Sequence, residues 1–242
     1  MMKRTGIFKT VCLALSCLTM TACVSYDDIQ PFDGKTLPRK CGYSTGVTND
    51  WIYFNLRTGK VYNAYGVNRD IKEGQQRDSV EVNMDWDLAF CGYTMRTNSG
   101  TSGPGAGGAA DLGYGGYDDW TSVSQLPSGL EWVIDTDDVK VTMSQNDWNH
   151  YLVENGLDFN ANPWFDPNNG PATTNTSANA LLSQAMSFSG PPPTYTPSFH
   201  TYVVRTADGQ RYFKLQIISW YDANVEIGDE GGRISYYCDE LK

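Results

Sequence analysis

The chain has 242 residues and carries 28 acidic against 18 basic side chains, a formal net charge of −10. That balance argues against nucleic acid or an anionic membrane surface as a partner, since both attract basic proteins. Two histidines in the whole chain offer little general-base chemistry. No Ser/His/Asp order, HExxH or phosphate loop is present, so no enzyme class is indicated.

Residues 1–22 read as a processing signal. Lys3, Arg4 and Lys9 form a basic start, and Val11 to Met20 is an apolar core too short for a permanent membrane helix. Met20-Thr21-Ala22-Cys23 reads as a lipobox, with small residues immediately before the cysteine. Cys23 is then the lipidated mature N-terminus, and the lipid is the chain's only hold on the membrane. Cleavage removes three basic and no acidic residues, taking the net charge from −10 to −13. Residues 23–40 are expected to be a lipidated tether; Tyr26-Asp27-Asp28 resembles the acidic tethers of surface lipoproteins from Bacteroidetes-type bacteria. Residues 41–242 follow as one domain, with no internal repeat or clear linker.

Within that domain, Trp51 to Leu56 predicts a strand, and Arg57-Thr58-Gly59 turns it into a second one at Lys60 to Val67. Asp85 to Arg96 predicts a half-buried strand, with Trp86, Leu88 and Phe90 alternating against Asp87, Ala89 and Cys91. It runs into a Gly/Ser/Thr loop ending near Gly108. Leu130 to Val141 offers more strand, around Trp132, Val133 and Ile134 and then Val139 and Val141. Two short helices are predicted. One starts at the capping-box-like Ser144 and Asp147, carries Trp148, Tyr151 and Leu152 on one face and stops at Gly156; the other spans Ser177 to Met186. Residues 159–176 between them read as a polar, proline-broken loop.

The C-terminal third is the plainest. His200 to Thr206 and Arg211 to Tyr221 flank Asp208-Gly209, a hairpin turn whose residues accept positive φ. Arg233 to Cys238 is a last strand. The fold class that accounts for these elements is all-β, a single antiparallel twisted β domain with a few short helices. With Cys23 lipidated, Cys41, Cys91 and Cys238 remain; in an oxidising compartment the simplest pairing is Cys41–Cys238, joining the ends of the domain. No cysteine spacing suggests zinc.

Three blocks together resemble the HmuY-type haem-binding lipoprotein (haemophore) family of Bacteroidetes. The first is Trp86-Asp87-Leu88-Ala89-Phe90 leading to Arg96-Thr97-Asn98-Ser99-Gly100-Thr101-Ser102-Gly103. The second is Pro192-Pro193-Thr194-Tyr195-Thr196-Pro197-Ser198. The third is Val203-Val204-Arg205-Thr206-Ala207-Asp208-Gly209, followed by Lys214-Leu215-Gln216. Each block also reads as fold-forming turns and core strands, so they identify the family without locating its site. The resemblance implies an all-β fold clamping one haem as cargo, its iron held by two axial side chains. It further implies delivery to a TonB-dependent outer-membrane receptor, host haemoproteins as one haem source, and an outer-membrane, cell-surface location or a released form of it.

Haem iron takes axial ligands from His, Met, Cys or Tyr. In the window between the Gly-rich loop and the Pro-Pro-Thr-Tyr block, where the resemblance places the ligands, the methionines are Met143 and Met186, 43 residues apart and both at predicted element edges. They are the expected axial ligands, with His150 and His200 as the alternative pair. Core packing is the ordinary employment of methionine and competes with this reading. Thioether sulfur is soft and has no proton to gain, so such a site favours ferrous iron and tolerates acid. Trp132, Trp148, Phe188 and Tyr195 are candidates to pack on the porphyrin. A glycan-binding or adhesin-like surface lipoprotein, or a family member without iron ligation, fits the same composition.

Overall fold

The computed structural model describes residues 31–40, 51–62, 83–143, 145–190, 192, 194–224 and 231–242. The signal segment, Cys23, Cys41, Ser144 and residues 63–67 of the second expected strand lie outside them. Asp33–Lys242 make one compact unit; of the other unit, Met1–Phe32, only the last two residues are described.

In chain order the strands begin with β1 (Lys35–Thr36), β2 (Ile52–Asn55), β3 (Lys60–Tyr62), β4 (Leu88–Cys91), β5 (Thr94–Thr97), β6 (Gly108–Tyr114) and β7 (Thr136–Thr142). Helix α1 (Gln145–Glu154) follows, then β8 (Phe165–Asp166), β9 (Gly170–Pro171) and β10 (Thr173–Ala178). The chain closes with β11 (Met186–Ser189), β12 (Thr194–Pro197), β13 (His200–Arg205), β14 (Tyr212–Ser219) and β15 (Ser235–Glu240). All the pairings are antiparallel. A five-stranded sheet runs β1-β15-β14-β13-β6 and a four-stranded one β3-β2-β4-β5; β7–β10, β8–β9 and β11–β12 are separate two-stranded sheets. The domain is all-β, and no helix among the described residues is long and apolar enough to cross a membrane.

The principal core lies between the two larger sheets. Period-two alternation points Ile52, Leu88, Phe90 and Met95 of one sheet at Tyr202, Val204, Phe213, Leu215, Ile217 and Tyr236 of the other. The opposite faces are buried as well, which alternation in a half-exposed sheet does not anticipate. Trp51, Tyr53, Trp86, Ala89 and Cys91 form a second cluster behind the four-stranded sheet. Behind the five-stranded sheet, Val203 and Ala110 pack with Trp120, Leu126, Leu130 and Trp132.

Several expectations change. The predicted strand Asp85–Arg96 is a hairpin: Cys91 pairs with Thr94 across a two-residue turn, with Gly92 at φ 57°. Buried strand residues on both sides of the turn, Leu88–Cys91 and Thr94–Thr97, mask the reversal. Part of the expected tether belongs to the domain, because Lys35–Thr36 pairs with Tyr236 and Ser235 and Leu37 is fully buried. The predicted helix Ser177–Met186 is instead the end of β10, one 3-10 turn at Leu182–Gln184 and the first residue of β11. Pairing with β7 takes Ala178, at the start of the segment, into β10, and its Leu182 and Gln184 are left to a single 3-10 turn despite their helix propensity. The expected loop 159–176 contains β8, β9 and the start of β10. Helix α1 agrees with expectation and ends at Gly156 in the left-handed region, φ 63°.

The Gly/Ser/Thr loop is structural. It wraps Asn98, whose amide donates to the carbonyls of Trp86 and Asn83, both at 2.9 Å, and whose Oδ1 accepts from the Gly105 amide at 2.9 Å. A Cβ on Gly103 would fall 2.3 Å from that oxygen, so the loop closes only on glycine.

Candidate functional site

β7 and β10 form one long hairpin, with Thr142 opposite Thr173, and residues 143–172 are an excursion from its open end. Met143 stands at the neck of that excursion. Its N–H donates to the Ala172 carbonyl at 2.9 Å, and its carbonyl accepts the Trp164 indole N–H at 2.9 Å. The Ala172 N–H in turn donates to the Trp164 carbonyl at 2.6 Å, closing a ring of three hydrogen bonds. The Met143 side chain is buried, with 2 % exposure.

The residue before it, Thr142, leads into an aromatic cluster. The Tyr93 hydroxyl donates to Thr142 Oγ1 at 3.0 Å. The β4–β5 turn projects the Tyr93 ring to within 6.1 Å of Tyr195 and 6.0 Å of Trp220. Tyr195 stacks on Trp220 at 4.3 Å and 13° and meets Phe188 at 5.3 Å. Phe188 and Tyr195 are cross-strand partners in β11–β12, and Met186 lies two residues before Phe188 on the same strand face. The structure therefore connects Met143, through Thr142 and Tyr93, to the hairpin that carries Met186, Phe188 and Tyr195. Met186 itself is 2 % exposed and packs in the principal core with Leu182 and Ala185.

The other candidates fall elsewhere. Trp132 packs on Tyr212 at 5.7 Å and under the Arg205 guanidinium at 4.8 Å, behind the five-stranded sheet. Trp148 stacks on Tyr151 at 5.3 Å within α1 and donates to the Asn162 carbonyl at 2.9 Å. His150 Nε2 pairs with Glu154 at 3.1 Å on the exposed side of α1. His200 Nδ1 meets the Asp111 carboxylate at 2.9 Å, at the β13–β6 pairing. The structure does not bring the two histidines together. Cys238 is buried, and burial pushes its thiol pKa up to about 12; Cys41, its expected disulfide partner, lies outside the described residues.

Tyr93 and Trp220 are members of the cluster that sequence reading missed. Tyr93 was hidden by the continuous-strand reading, since only the Gly92 turn brings it out of the sheet. Trp220 follows β14 and reads in sequence as the end of a strand.

The family-like blocks serve the fold. Asp87, fully buried, accepts from the amides of Leu56 and Ala207, each at 2.8 Å, and from Arg57 Nε at 3.2 Å. Arg96 lies 3.8 Å over the Trp51 ring and donates to the Ser177 carbonyl at 2.6 Å. Asp135 accepts from the Thr97 amide at 2.9 Å, the Thr97 hydroxyl at 2.6 Å and the Asn179 amide at 3.0 Å. Burial nevertheless raises its pKa above the ordinary carboxylate value, outweighing those hydrogen bonds.

A protein-family model described as HmuY protein matches residues 47–238. No curated protein matches the chain. Among solved structures, apo PinO from Porphyromonas gingivitis is similar at 16 % identity and TM-score 0.50, over 83 % of this chain and 95 % of that one. An HmuY-like haem-binding protein from Bacteroides vulgatus gives 20 % identity and TM-score 0.48, over 77 % and 82 %. The apo HmuY analogue of Tannerella forsythia gives 18 % and 0.47, over 79 % and 89 %. The PinO likeness supports the fold alone. The family match covers most of the chain, from before β2 to the middle of β15, and on that ground the chain belongs to the HmuY family.

Proposed function

We propose that this protein binds haem as cargo, with Met143 and Met186 as axial ligands to the iron. It then passes the haem to a TonB-dependent outer-membrane receptor, working as a surface lipoprotein anchored through Cys23 and drawing in part on host haemoproteins. Membership of the HmuY family carries the reading. The local chemistry fits the ligand. Phe188, Tyr195, Trp220 and Tyr93 supply flat, polarizable faces for a porphyrin; Met186 packs in the same core as Tyr93, Tyr195 and Trp220, Met143 follows the Thr142 that Tyr93 binds, and thioethers are soft donors for iron. Both thioethers are buried in this structure, so ligation requires movement. β11–β12 is a two-stranded sheet of its own, so the hairpin that bears Met186 can shift without breaking the ladders of the larger sheets. The role is binding and transfer, with no chemistry on the haem.

Titration with haem, with and without dithionite, tests this. The expected result is a saturable, sharp Soret band with low-spin features that strengthen on reduction and collapse in Met143→Ala. A broad, unsaturable change like that of free haem would reject haem capture and bring the glycan-binding reading forward.

A further inference from the structure

Two of the three hydrogen bonds at the neck of the 143–172 excursion extend the β7–β10 and β8–β9 ladders by one rung, and the third, from the Trp164 indole, belongs to neither; together they fix the backbone of one candidate ligand on both sides. Met143 N–H is held by Ala172 and its carbonyl by the Trp164 indole, while Trp164 and Ala172 are locked to each other. The residue just before is tied separately, by Tyr93 to Thr142. Of these contacts, the Trp164 indole is the one made by a side chain from within the excursion itself. It bridges 21 residues to reach Met143 and decides how the chain leaves β7.

We propose that Trp164 is a positioning residue for haem ligation: its indole N–H clamps the Met143 carbonyl and so sets the direction of the thioether. The inference rests on Met143 being an iron ligand. Backbone held by two opposed hydrogen bonds pre-pays the ordering that ligation would otherwise demand of a joint between strand and helix. The clamp also offers a route by which the excursion, with α1 and β8–β9, influences affinity without touching haem. Ligand-field strength at the iron follows how squarely the sulfur is presented, so the spin state reports the clamp directly.

The test uses the full chain in detergent. Trp164→Phe keeps the ring and removes the donor. It is expected to weaken haem binding about tenfold, the scale of one lost hydrogen bond, and to convert part of the low-spin spectrum to high spin. In haem-free protein the Trp164 indole N–H should exchange slowly with deuterium. In a Met143→Ala background Trp164→Phe should cause no further loss. Binding within twofold of wild type with an unchanged low-spin spectrum overturns the proposal, as does an equal further loss in the Met143→Ala background. An unchanged spectrum in Met143→Ala alone removes the ligand reading itself, and the two failures are therefore distinct.

Discussion

Asp87 joins three separate parts of the chain, and its removal has a calculable cost. One carboxylate oxygen accepts from the Leu56 amide after β2, the other from the Ala207 amide after β13, and Arg57 Nε lies 3.2 Å from both oxygens. Asp87→Ala strands two amide donors, at about 1–3 kcal/mol each. It also leaves Arg57 with the Met84 carbonyl and with Asp208, the latter a partly exposed pair at 3.2 Å worth under about 1 kcal/mol. The expected loss is about 4 kcal/mol, which for a domain of this size lowers Tm by about 8–16 °C. Asp87→Asn keeps one acceptor but turns its NH2 toward a donor, so about half the loss is expected. Urea unfolding followed by tryptophan fluorescence measures both variants. A loss below about 1 kcal/mol in Asp87→Ala would refute the claim that this carboxylate ties the blocks together. None of its partners belongs to the Tyr93–Tyr195–Trp220 cluster, so haem affinity measured well below Tm should stay near wild type.

Gly103→Ala forces a methyl to 2.3 Å from Asn98 Oδ1 and 2.9 Å from the Trp86 ring, and should destabilise by about 2 kcal/mol or more, read as a fall in the urea midpoint. Asp135 gives a pH dependence of definite sign. Its folded pKa lies above its unfolded one, so between the two values the folded state holds the proton more tightly and stability falls as pH rises. Asp135→Asn should flatten the fall in unfolding free energy that starts near the ordinary carboxylate pKa and is complete above the raised one; an identical pH slope in the variant would contradict the assignment.

Local chemistry made part of the fold readable. Asp208-Gly209 specifies a hairpin because Gly209 takes φ 72°, and the turn lies where the dipeptide does. Gly156 stops α1 for the same reason. Runs such as Tyr212–Ser219 are strands because β-branched and aromatic residues suit a pleated surface, and the structure adds only their partners. Composition was a weaker guide where long-range pairing competes with it: Ser177–Met186 has helix-forming residues, but β7 captures its first part as β10 and β12 captures Met186 as β11.

The candidate site was legible in type and not in place. Residue type limits iron ligation to Met, His, Cys or Tyr, and it is the family resemblance, by implying a window between the Gly-rich loop and the Pro-Pro-Thr-Tyr block, that points to Met143 and Met186. Phe188 and Tyr195 follow from the same residue-type logic, but Trp132 and Trp148, chosen on equal grounds, pack against Tyr212 and Tyr151 instead. Which aromatic rings meet depends on contacts between residues far apart in the chain, and no local signal carries that information. The sequence by itself determined the acidic charge, the β alternation, the turns with positive φ and the supply of soft ligands, since each is a property of single residues or near neighbours. The tertiary structure alone decided that a Gly92 turn brings Tyr93 to Thr142, that Trp164 closes on Met143, and that Asp87 and Arg96 serve the core, because those depend on burial and on partners 21 to 120 residues away.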